Sequence, residues 1–245
     1  MTTKVKINYI PAFYYGERMN SSYSSQLKQT PLFMLDKQIE AIQQYGDGID
    51  RVTFVFNLDN LNDGDTIQQY LKYKNLSFNY DVHCRANKGA SYGAWDEVIK
   101  KNINDFDYFF VSEDDFVPAT KKFYQPFIDR CKNNVAYVCM FANSNRPYKG
   151  VPHAAIPHGV LLGSACRKVL NNQNRLFKIY APDNTYDTFY RIQMEYFEYF
   201  IDEGFVIGDI LDEYSSPYMV SPTESVTIYG DPKNPVLVRP IPLPR

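Results

Sequence analysis

A single α/β domain with a mostly parallel central sheet is predicted for this chain of 245 residues by three observations. Short apolar runs alternate with segments of helical periodicity in the order βαβαβαβ, which specifies parallel strands joined by helices. Several predicted strands end in polar or acidic residues, and such sheets bind their ligands outside the carboxyl ends of the strands. No internal repeat or linker divides the chain, whose length suits one large domain.

Local patterns place the elements of the first half. The first strand is predicted over residues 5–13 with a break at Pro11, and the polar residues 14–30 are predicted to form a long loop. Thr30 is a suitable N-cap and Pro31 a suitable first-turn residue, so a helix is predicted to begin there. The other predicted elements are strands over residues 51–58, 76–83 and 108–111, a loop over residues 85–93, and helices over residues 66–74 and about 94–102.

The second half is predicted to hold one long helix, over residues 188–203, because apolar residues recur there at helical spacing and Gly204 supplies a stop. Residues 231–245 are rich in proline and are predicted to form an extended tail without regular structure, which leaves residues 1–230 as the folded domain. The other predictions are helices over residues 120–133 and 165–170, strands over residues 135–141, 158–164 and 205–210, and loops over residues 143–157 and 171–187.

Composition argues against several classes of protein. The net charge is −2 and the chain has no block of Lys and Arg, so a nucleic-acid partner is not expected. The four cysteines have neither CxxC pairing nor disulfide-like spacing, which is typical of reduced thiols in the cytoplasm. No signal-peptide pattern and no apolar window of about 20 residues is present, so a transmembrane segment is not expected. The predicted location is cytoplasmic, either free or peripheral at a membrane.

An acidic triplet is the most informative motif. The apolar run from Tyr108 leads directly into Glu113, Asp114 and Asp115, and Pro118 prevents further strand pairing. Three neighbouring carboxylates repel one another unless a cation lies between them, and hard oxygen ligands suit Mg2+ or Mn2+. An acidic turn that caps the next helix is the alternative, and these residues alone leave both interpretations open. The metal site is favoured because other polar strand ends, such as Asp59, are predicted at the same sheet edge.

Taken together, these motifs resemble the large inverting, family 2-like group of GT-A-fold glycosyltransferases. The resemblance covers roughly residues 5–210 and depends on the first strand end, Asp59, the loop Asn87-Lys-Gly-Ala-Ser-Tyr-Gly, the Ser-Glu-Asp-Asp element and the late helix. It implies a Rossmann-like GT-A domain. It also implies metal-dependent transfer of a sugar from a UDP- or GDP-type donor to a hydroxyl of a glycan, lipid-linked or protein acceptor, with inversion.

The resemblance also implies roles for the matching residues. Asp115, with Glu113, would hold Mn2+ or Mg2+ against the departing diphosphate and stabilise its charge. Glu195, or in second place Asp187, would be the general base that deprotonates the acceptor. His158 and Gly159 would lie on the acceptor side. The residues implied for the nucleotide and donor are Pro11, Ala12, Phe13, Tyr14, Asp59, Arg85, Asn87, Lys88, Gly89, Glu113 and Asp114.

Several alternatives stay open at this stage. Glu195 also fits a solvent-exposed polar helix face, as an i,i+4 partner of Arg191. Some relatives use a late histidine as a metal ligand, and this chain has no histidine after His158, so that ligand is either absent or replaced, for example by Asp209 or Asp212. A sugar-nucleotidyltransferase normally has a Gly-rich phosphate loop after its first strand, and Pro11-Ala-Phe-Tyr-Tyr-Gly is not one. A non-catalytic carbohydrate-binding domain of the same fold would be expected to lose the acidic triplet.

Overall fold

Strands and helices alternate through most of the chain in this computed structural model, which describes residues 5–15, 31–114, 116–178 and 195–210 and short strand segments between residues 219 and 242. The helices are α1 (Pro31–Tyr45), α2 (Asp63–Tyr73), α3 (Ala90–Lys101), α4 (Gln125–Arg130), α5 (Gly163–Gln173) and α6 (Glu198–Asp202). The strands are β1 (Ile7–Tyr15), β2 (Arg51–Leu58), β3 (Tyr80–Ala86), β4 (Tyr108–Glu113), β5 (Val117–Pro118), β6 (Val135–Tyr148), β7 (Val151–Leu162), β8 (Val206–Asp209), β9 (Met219–Val220), β10 (Glu224–Ser225), β11 (Ile228–Asp231), β12 (Asn234–Leu237) and β13 (Ile241–Pro242).

Seven strands form the central sheet in the order β3-β2-β1-β4-β7-β6-β8. The first four of these are mutually parallel, and β6 and β8 are parallel to each other. Only β7 runs antiparallel to its neighbours β4 and β6, so the other six strands share one direction. The predicted mostly parallel sheet is therefore confirmed, and the carboxyl ends of β1 to β4 meet at one edge.

Helices cover both faces of this sheet, because alternate side chains of each buried strand point to opposite sides. In β1, Ile10 packs with the helices α3, α5 and α6, whereas Tyr9 packs with α1, α2 and α4. The helical residues buried on the first face include Trp95, Val98, Cys166, Val169 and Phe200, and those on the second include Leu35, Ile39, Ile67, Leu71 and Phe127. The predicted α/β fold class is confirmed. Among the residues that the structure describes, no helix has the length and apolar character needed to cross a bilayer.

The predicted break of the first strand at Pro11 is wrong, because β1 continues through it to Tyr15. The pairing with β4 runs without interruption past Pro11 and Ser112, whereas the pairing with β2 omits Ile10 and Pro11. Proline lacks only one hydrogen-bond donor, and a single omission on one side leaves a buried strand with its other partner intact. The strand end is thereby carried to the edge where the polar residues lie.

Three predicted boundaries in the first half are displaced. The third strand is Tyr80–Ala86 rather than residues 76–83, because its register with β2 runs from Val52↔Tyr80 to Leu58↔Ala86. Helix α2 begins at Asp63, three residues before the predicted start, with two acidic residues in its first turn. Helix α3 begins at Ala90, so residues 90–93, predicted as loop, are helical.

The predicted loop over residues 143–157 is wrong, because these residues belong to the long hairpin of β6 and β7. Tyr148 pairs with Val151 across a two-residue turn of Lys149 and Gly150, whose φ angles are 50° and 79°. Two successive positive φ angles characterise the turn that matches the twist of a hairpin. A Lys-Gly pair is a weak signal for this turn, and residues 143–146 before it are polar.

The remaining differences concern helices and the tail. The helix predicted over residues 120–133 is only Gln125–Arg130, preceded by β5 and by Lys122 with a φ angle of 56°. Of the late helix, residues 188–194 lie outside the described residues, and the described part is helical over Glu198–Asp202. The predicted tail is not free of regular structure, since β12 pairs with β11 and β13 with β10. The domain boundary at residue 230 stays a prediction.

Candidate active site at the carboxyl edge of the sheet

An open cavity of about 380 Å³ lies at the carboxyl ends of β1, β2 and β4, beside the first turn of α3. The described residues that line it are Ala12, Tyr14, Asn57, Asn87, Ala90, Ser91, Glu113 and Asp114. Five of the eight belong to the set predicted from the sequence, namely Ala12, Tyr14, Asn87, Glu113 and Asp114. The cavity therefore brings together residues from the first strand end, the Asn87 loop and the acidic triplet.

Strand register explains why these residues meet. Ala12 of β1 lies between Val55 of β2 and Glu113 of β4, and Tyr14 is paired with Asn57. Because the three strands are parallel and in contact, their last residues reach the same edge together. Each strand is buried and apolar along most of its length and becomes polar where it ends. The sheet thus brings polar groups together at one edge.

The first turn of α3 forms one wall of the cavity. Gly89 and Ala90 adopt left-handed backbone conformations, with φ angles of 75° and 46°, and turn the chain sharply into the helix. A Cβ atom on Gly93 would lie 2.1 Å from the carbonyl oxygen of Lys88, so glycine is required for this close packing. The amino end of a helix carries positive partial charge and free amide hydrogens, which favour phosphate groups.

Two carboxylates of the acidic triplet face the cavity. Glu113 accepts a hydrogen bond from the Ser91 hydroxyl at 2.8 Å, and Asp114, which is 7% exposed, accepts one from the Tyr14 amide at 3.5 Å. Carboxylate oxygens that share a cavity are the ligands Mg2+ and Mn2+ prefer, so these residues fit such an ion. Asp115 lies outside the described residues. Among those that are described, no group of three or more His, Cys, Asp and Glu side chains is placed to hold a metal.

The end of β1 presents alternate residues to the cavity. Ala12 and Tyr14 line it, whereas Pro11 and Phe13 are buried, the latter stacked on Phe56 with ring centroids 4.8 Å apart. The Tyr14 hydroxyl donates a hydrogen bond of 2.5 Å to Asp59, which is exposed at the end of β2. Tyr14 is therefore the aromatic residue of this segment placed for contact with a flat ligand, and Asp59 orients it.

Arg85 is buried next to the cavity and connects the end of β2 to the loop before α3 by hydrogen bonds. Its side chain is 8% exposed and donates hydrogen bonds to Asn57 Oδ1 at 2.5 Å, the Lys88 carbonyl at 2.9 Å and Glu97 at 2.7 Å. The Arg85 guanidinium holds the pKa of the Glu97 carboxyl below its usual value. Arg85 is not among the lining residues, and Lys88 is exposed beside it. Their contact with donor phosphates or sugar stays a prediction.

We expect Arg85→Lys to lower the free energy of unfolding by about 2 kcal/mol, because a lysine ammonium cannot reproduce the planar fork that serves Asn57 and the Lys88 carbonyl together. Chemical denaturation measures this change. Arg175→Lys, at an exposed position, is the matched control and should alter stability by less than about 0.5 kcal/mol. Equal stability of the two variants would contradict this stabilising role of the Arg85 hydrogen bonds.

The two residues predicted on the acceptor side lie within the sheet. His158 is 1% exposed, and its Nδ1 lies 3.2 Å from the backbone nitrogen of Glu113. Gly159 pairs with Val111 on one side and Cys139 on the other, and a Cβ atom there would lie 2.1 Å from the Val138 carbonyl oxygen. Neither residue lines the cavity. Their role beside an acceptor stays a prediction.

Glu195, the first candidate for the general base, comes from the late helix. Glu195 lies 3.8 Å from the Lys178 ammonium, with 18% of its side chain exposed. The next residue, Tyr196, stacks on Tyr92 of α3 with ring centroids 3.4 Å apart, which holds this segment close to the cavity wall. Burial, and then the charge of Glu113, raises the pKa of Tyr196. Asp187 and Asp212 lie outside the described residues, and Asp209 accepts a hydrogen bond from the Ala142 amide at 3.1 Å.

Sequence reasoning missed three lining residues: Asn57, Ala90 and Ser91. Asn57 interrupts an apolar strand one residue before its end. A polar residue at such a position in a buried strand can indicate a ligand site. Ala90 and Ser91 were missed because α3 was predicted to begin at about residue 94, whereas the helix begins at Ala90, directly after Gly89. An earlier helix start would have placed Ser91 in the first turn.

No protein-family model and no curated protein matches this sequence. Several solved structures resemble it in fold. A mannosyltransferase from Pyrobaculum calidifontis, in complex with GDP-Man and Mn2+, is 9% identical, with a TM-score of 0.46 over 72% of this chain and 48% of its own. Residues 1–349 of S. aureus TarS, in complex with UDP, are 16% identical, with a TM-score of 0.42 over 71% of this chain and 50% of that one.

A third structure of similar fold is the 4-diphosphocytidyl-2C-methyl-D-erythritol synthase of Anaerococcus prevotii, which is 13% identical, with a TM-score of 0.46 over 84% of this chain and 87% of its own. The chain spans 30% of a longer TarS structure and about half of the mannosyltransferase. These likenesses concern the fold alone. Fold and site together define an α/β protein with an open cavity at the carboxyl edge of a mostly parallel sheet.

Proposed function

We propose that this protein is a metal-dependent glycosyltransferase that moves a sugar from a UDP- or GDP-type donor to a hydroxyl of a glycan, lipid-linked or protein acceptor, with inversion. The observation that carries the proposal is the convergence of two carboxylates and a helix amino end in one cavity. Carboxylates alone would repel a nucleotide diphosphate. With a divalent ion between them and the phosphates, the same residues attract it.

The donor diphosphate is proposed to lie between the first turn of α3 and the acidic triplet. Amide hydrogens of the helix end suit the phosphate oxygens. Glu113 and Asp114, with Asp115, would hold Mn2+ or Mg2+, which supplies Lewis-acid stabilisation of the charge on the departing diphosphate. Ser91 fixes the direction of Glu113 by the hydrogen bond between them. Tyr14, tethered to Asp59, is proposed to contact the nucleotide base.

Glu195 is proposed as the general base that takes the proton of the acceptor hydroxyl, with Asp187 as second choice. The stacked Tyr92 and Tyr196 rings support this assignment, because they keep the Glu195 segment packed on α3 next to the cavity. Glu195 lies 3.8 Å from the Lys178 ammonium, which also pairs with Glu198, so both carboxylates face the same cation. The acceptor is proposed to approach from this side of the cavity.

A thermal shift experiment tests the proposal most directly. We expect UDP or GDP to raise the melting temperature only when Mn2+ or Mg2+ is present, by roughly 5 °C at a hundredfold excess over the dissociation constant. Asp115→Ala should abolish this shift and leave the melting temperature of the free protein unchanged. A shift that is equal in EDTA, or no shift with any nucleotide, would count against the proposal.

Product analysis separates the alternatives. A glycosyltransferase releases a nucleoside diphosphate when donor and acceptor are supplied, whereas a sugar-nucleotidyltransferase releases pyrophosphate from a nucleoside triphosphate and a sugar phosphate. A non-catalytic carbohydrate-binding domain would release neither and would bind sugars without a divalent ion. Pyrophosphate as the only product would replace the proposed activity with the second one.

A further inference from the structure

A cluster of four buried polar side chains lies directly beneath the acidic turn, a name used here for the described residues Glu113, Asp114 and Phe116. The four side chains come from β1, α1, β4 and β7, and none is more than 1% exposed: Tyr9, Gln38, Ser112 and His158. Their surroundings are mainly aromatic and aliphatic. Burying polar groups in such a core costs free energy unless every group is hydrogen-bonded. Packing alone therefore does not explain why polar side chains occupy these four positions.

His158 contacts the amino side of the acidic turn. Its Nδ1 lies 3.2 Å from the backbone nitrogen of Glu113 and 3.1 Å from the Ser112 hydroxyl oxygen. A backbone N–H can only donate, so Nδ1 is the acceptor and the ring proton resides on Nε2. Burial lowers the pKa of His158 to about 3, which agrees with a neutral ring. The backbone amide of Glu113, the first residue of the triplet, therefore donates to a buried acceptor.

The other side of the turn is held from the same cluster. The carbonyl oxygen of Phe116 accepts hydrogen bonds from Gln38 and, at 3.3 Å, from the Ser112 hydroxyl. Tyr9 donates to Gln38 Oε1 at 2.9 Å and so orients that amide. The Phe116 ring packs on the His158 ring with centroids 4.1 Å apart. Backbone groups on both sides of the carboxylates are thus tied to the core.

We propose that His158 is a positioning residue for the acidic turn: by accepting the Glu113 amide hydrogen, it fixes the direction in which Glu113 and Asp114 present their carboxylates to the cavity. The inference rests on the proposed function, since it assigns those carboxylates to a metal-bound nucleotide. An apolar side chain of similar size would fill the same space but would remove the acceptor that His158 offers to the Glu113 amide. This role differs from contact with an acceptor substrate.

Two variants separate positioning from packing. His158→Phe keeps a ring against Phe116 and removes the acceptor, whereas His158→Asn places a carbonyl oxygen near the position of Nδ1. In the protein without nucleotide or metal, we expect the Glu113 amide to exchange hydrogen at least about tenfold faster in His158→Phe, relative to the core amide of Val111, and within about threefold of wild type in His158→Asn. NMR measures both amides. Unchanged relative exchange in His158→Phe would overturn the proposal.

Nucleotide affinity supplies the second readout. With Mn2+, His158→Phe should bind UDP or GDP about tenfold more weakly than wild type, and His158→Asn should restore the affinity to within about threefold. In EDTA the three proteins should not differ. If His158→Phe had lower thermal stability but unchanged Mn2+-dependent affinity, His158 would contribute to packing only, and the proposed positioning role would be overturned. If wild type binds neither nucleotide with Mn2+, the proposed function is refuted, and the exchange of Glu113 still decides whether His158 fixes the turn.

Discussion

Glu113→Gln is expected to weaken Mn2+-dependent binding of UDP or GDP by on the order of a hundredfold, equivalent to about 2.7 kcal/mol. Glutamine keeps the size of the side chain and an oxygen that can accept the 2.8 Å hydrogen bond from Ser91. It removes the negative charge that attracts a divalent ion to this side chain. Isothermal titration with and without Mn2+ measures the effect, and turnover should fall in parallel.

A surface carboxylate provides the matched control. Glu40→Gln makes the same chemical change at an exposed position on α1, where the carboxylate pairs with Lys37. It should leave nucleotide affinity within about twofold of wild type, because an exposed ion pair contributes little and lies away from the cavity. Equal affinities for the Glu113 and Glu40 variants would remove Glu113 from the proposed metal site. A loss that is the same in EDTA would mean that Glu113 contacts the nucleotide without a metal.

Gly159→Ala is expected to lower the free energy of unfolding by about 3 kcal/mol or more. An added Cβ atom would lie 2.1 Å from the Val138 carbonyl oxygen and 2.6 Å from the Cys139 Cα atom. Both are backbone atoms of β6 in the middle of the sheet, so the clash cannot be relieved by rotating a side chain. Moving β7 would also displace His158, and we expect Mn2+-dependent nucleotide affinity to fall together with stability.

Gly204→Ala is the comparison for this prediction. Gly204 has a φ angle of 82°, and an added Cβ atom would meet no atom within 4 Å. Its cost is therefore only the left-handed backbone conformation, about 1 kcal/mol, with no effect on nucleotide binding. Denaturant unfolding of both variants measures the difference. If Gly159→Ala were no more destabilising than Gly204→Ala, the close approach of β6 and β7 would not be the reason for glycine at this position.

Much of the candidate site follows from local sequence. The apolar run from Tyr108 predicts a buried strand, and the strand ends where Glu113 begins the acidic turn. The rule that parallel strands share their carboxyl side placed Asp59, the loop of residues 85–89 and the acidic triplet at the same edge. That prediction depends on periodicity and chain direction, which short segments carry by themselves, whereas Ala12 and Tyr14 were implied only by the resemblance to glycosyltransferases. The cavity confirms that the segments meet, and their functional roles stay proposals.

Other features depend on partners distant in sequence. Only the fold shows that Asn57, the Lys88 carbonyl and Glu97 surround the Arg85 guanidinium. Only the fold shows, too, that His158 lies under Glu113, 45 residues earlier in the chain. The contacts of Arg85 with a donor and of His158 with an acceptor stay predictions. A side chain's chemistry is readable from sequence, whereas the group it meets depends on which strands become neighbours.

Local sequence was enough to predict the α/β class, the parallel direction of the first strands and the position of the acidic turn at a strand end, because hydrophobic periodicity and turn residues act over a few residues. The tertiary structure alone decided that β7 inserts antiparallel between β4 and β6, and so brought His158 beneath Glu113 and Gly159 against β6. Strand order is set by the packing of whole faces, a cooperative property that no single segment of this chain encodes.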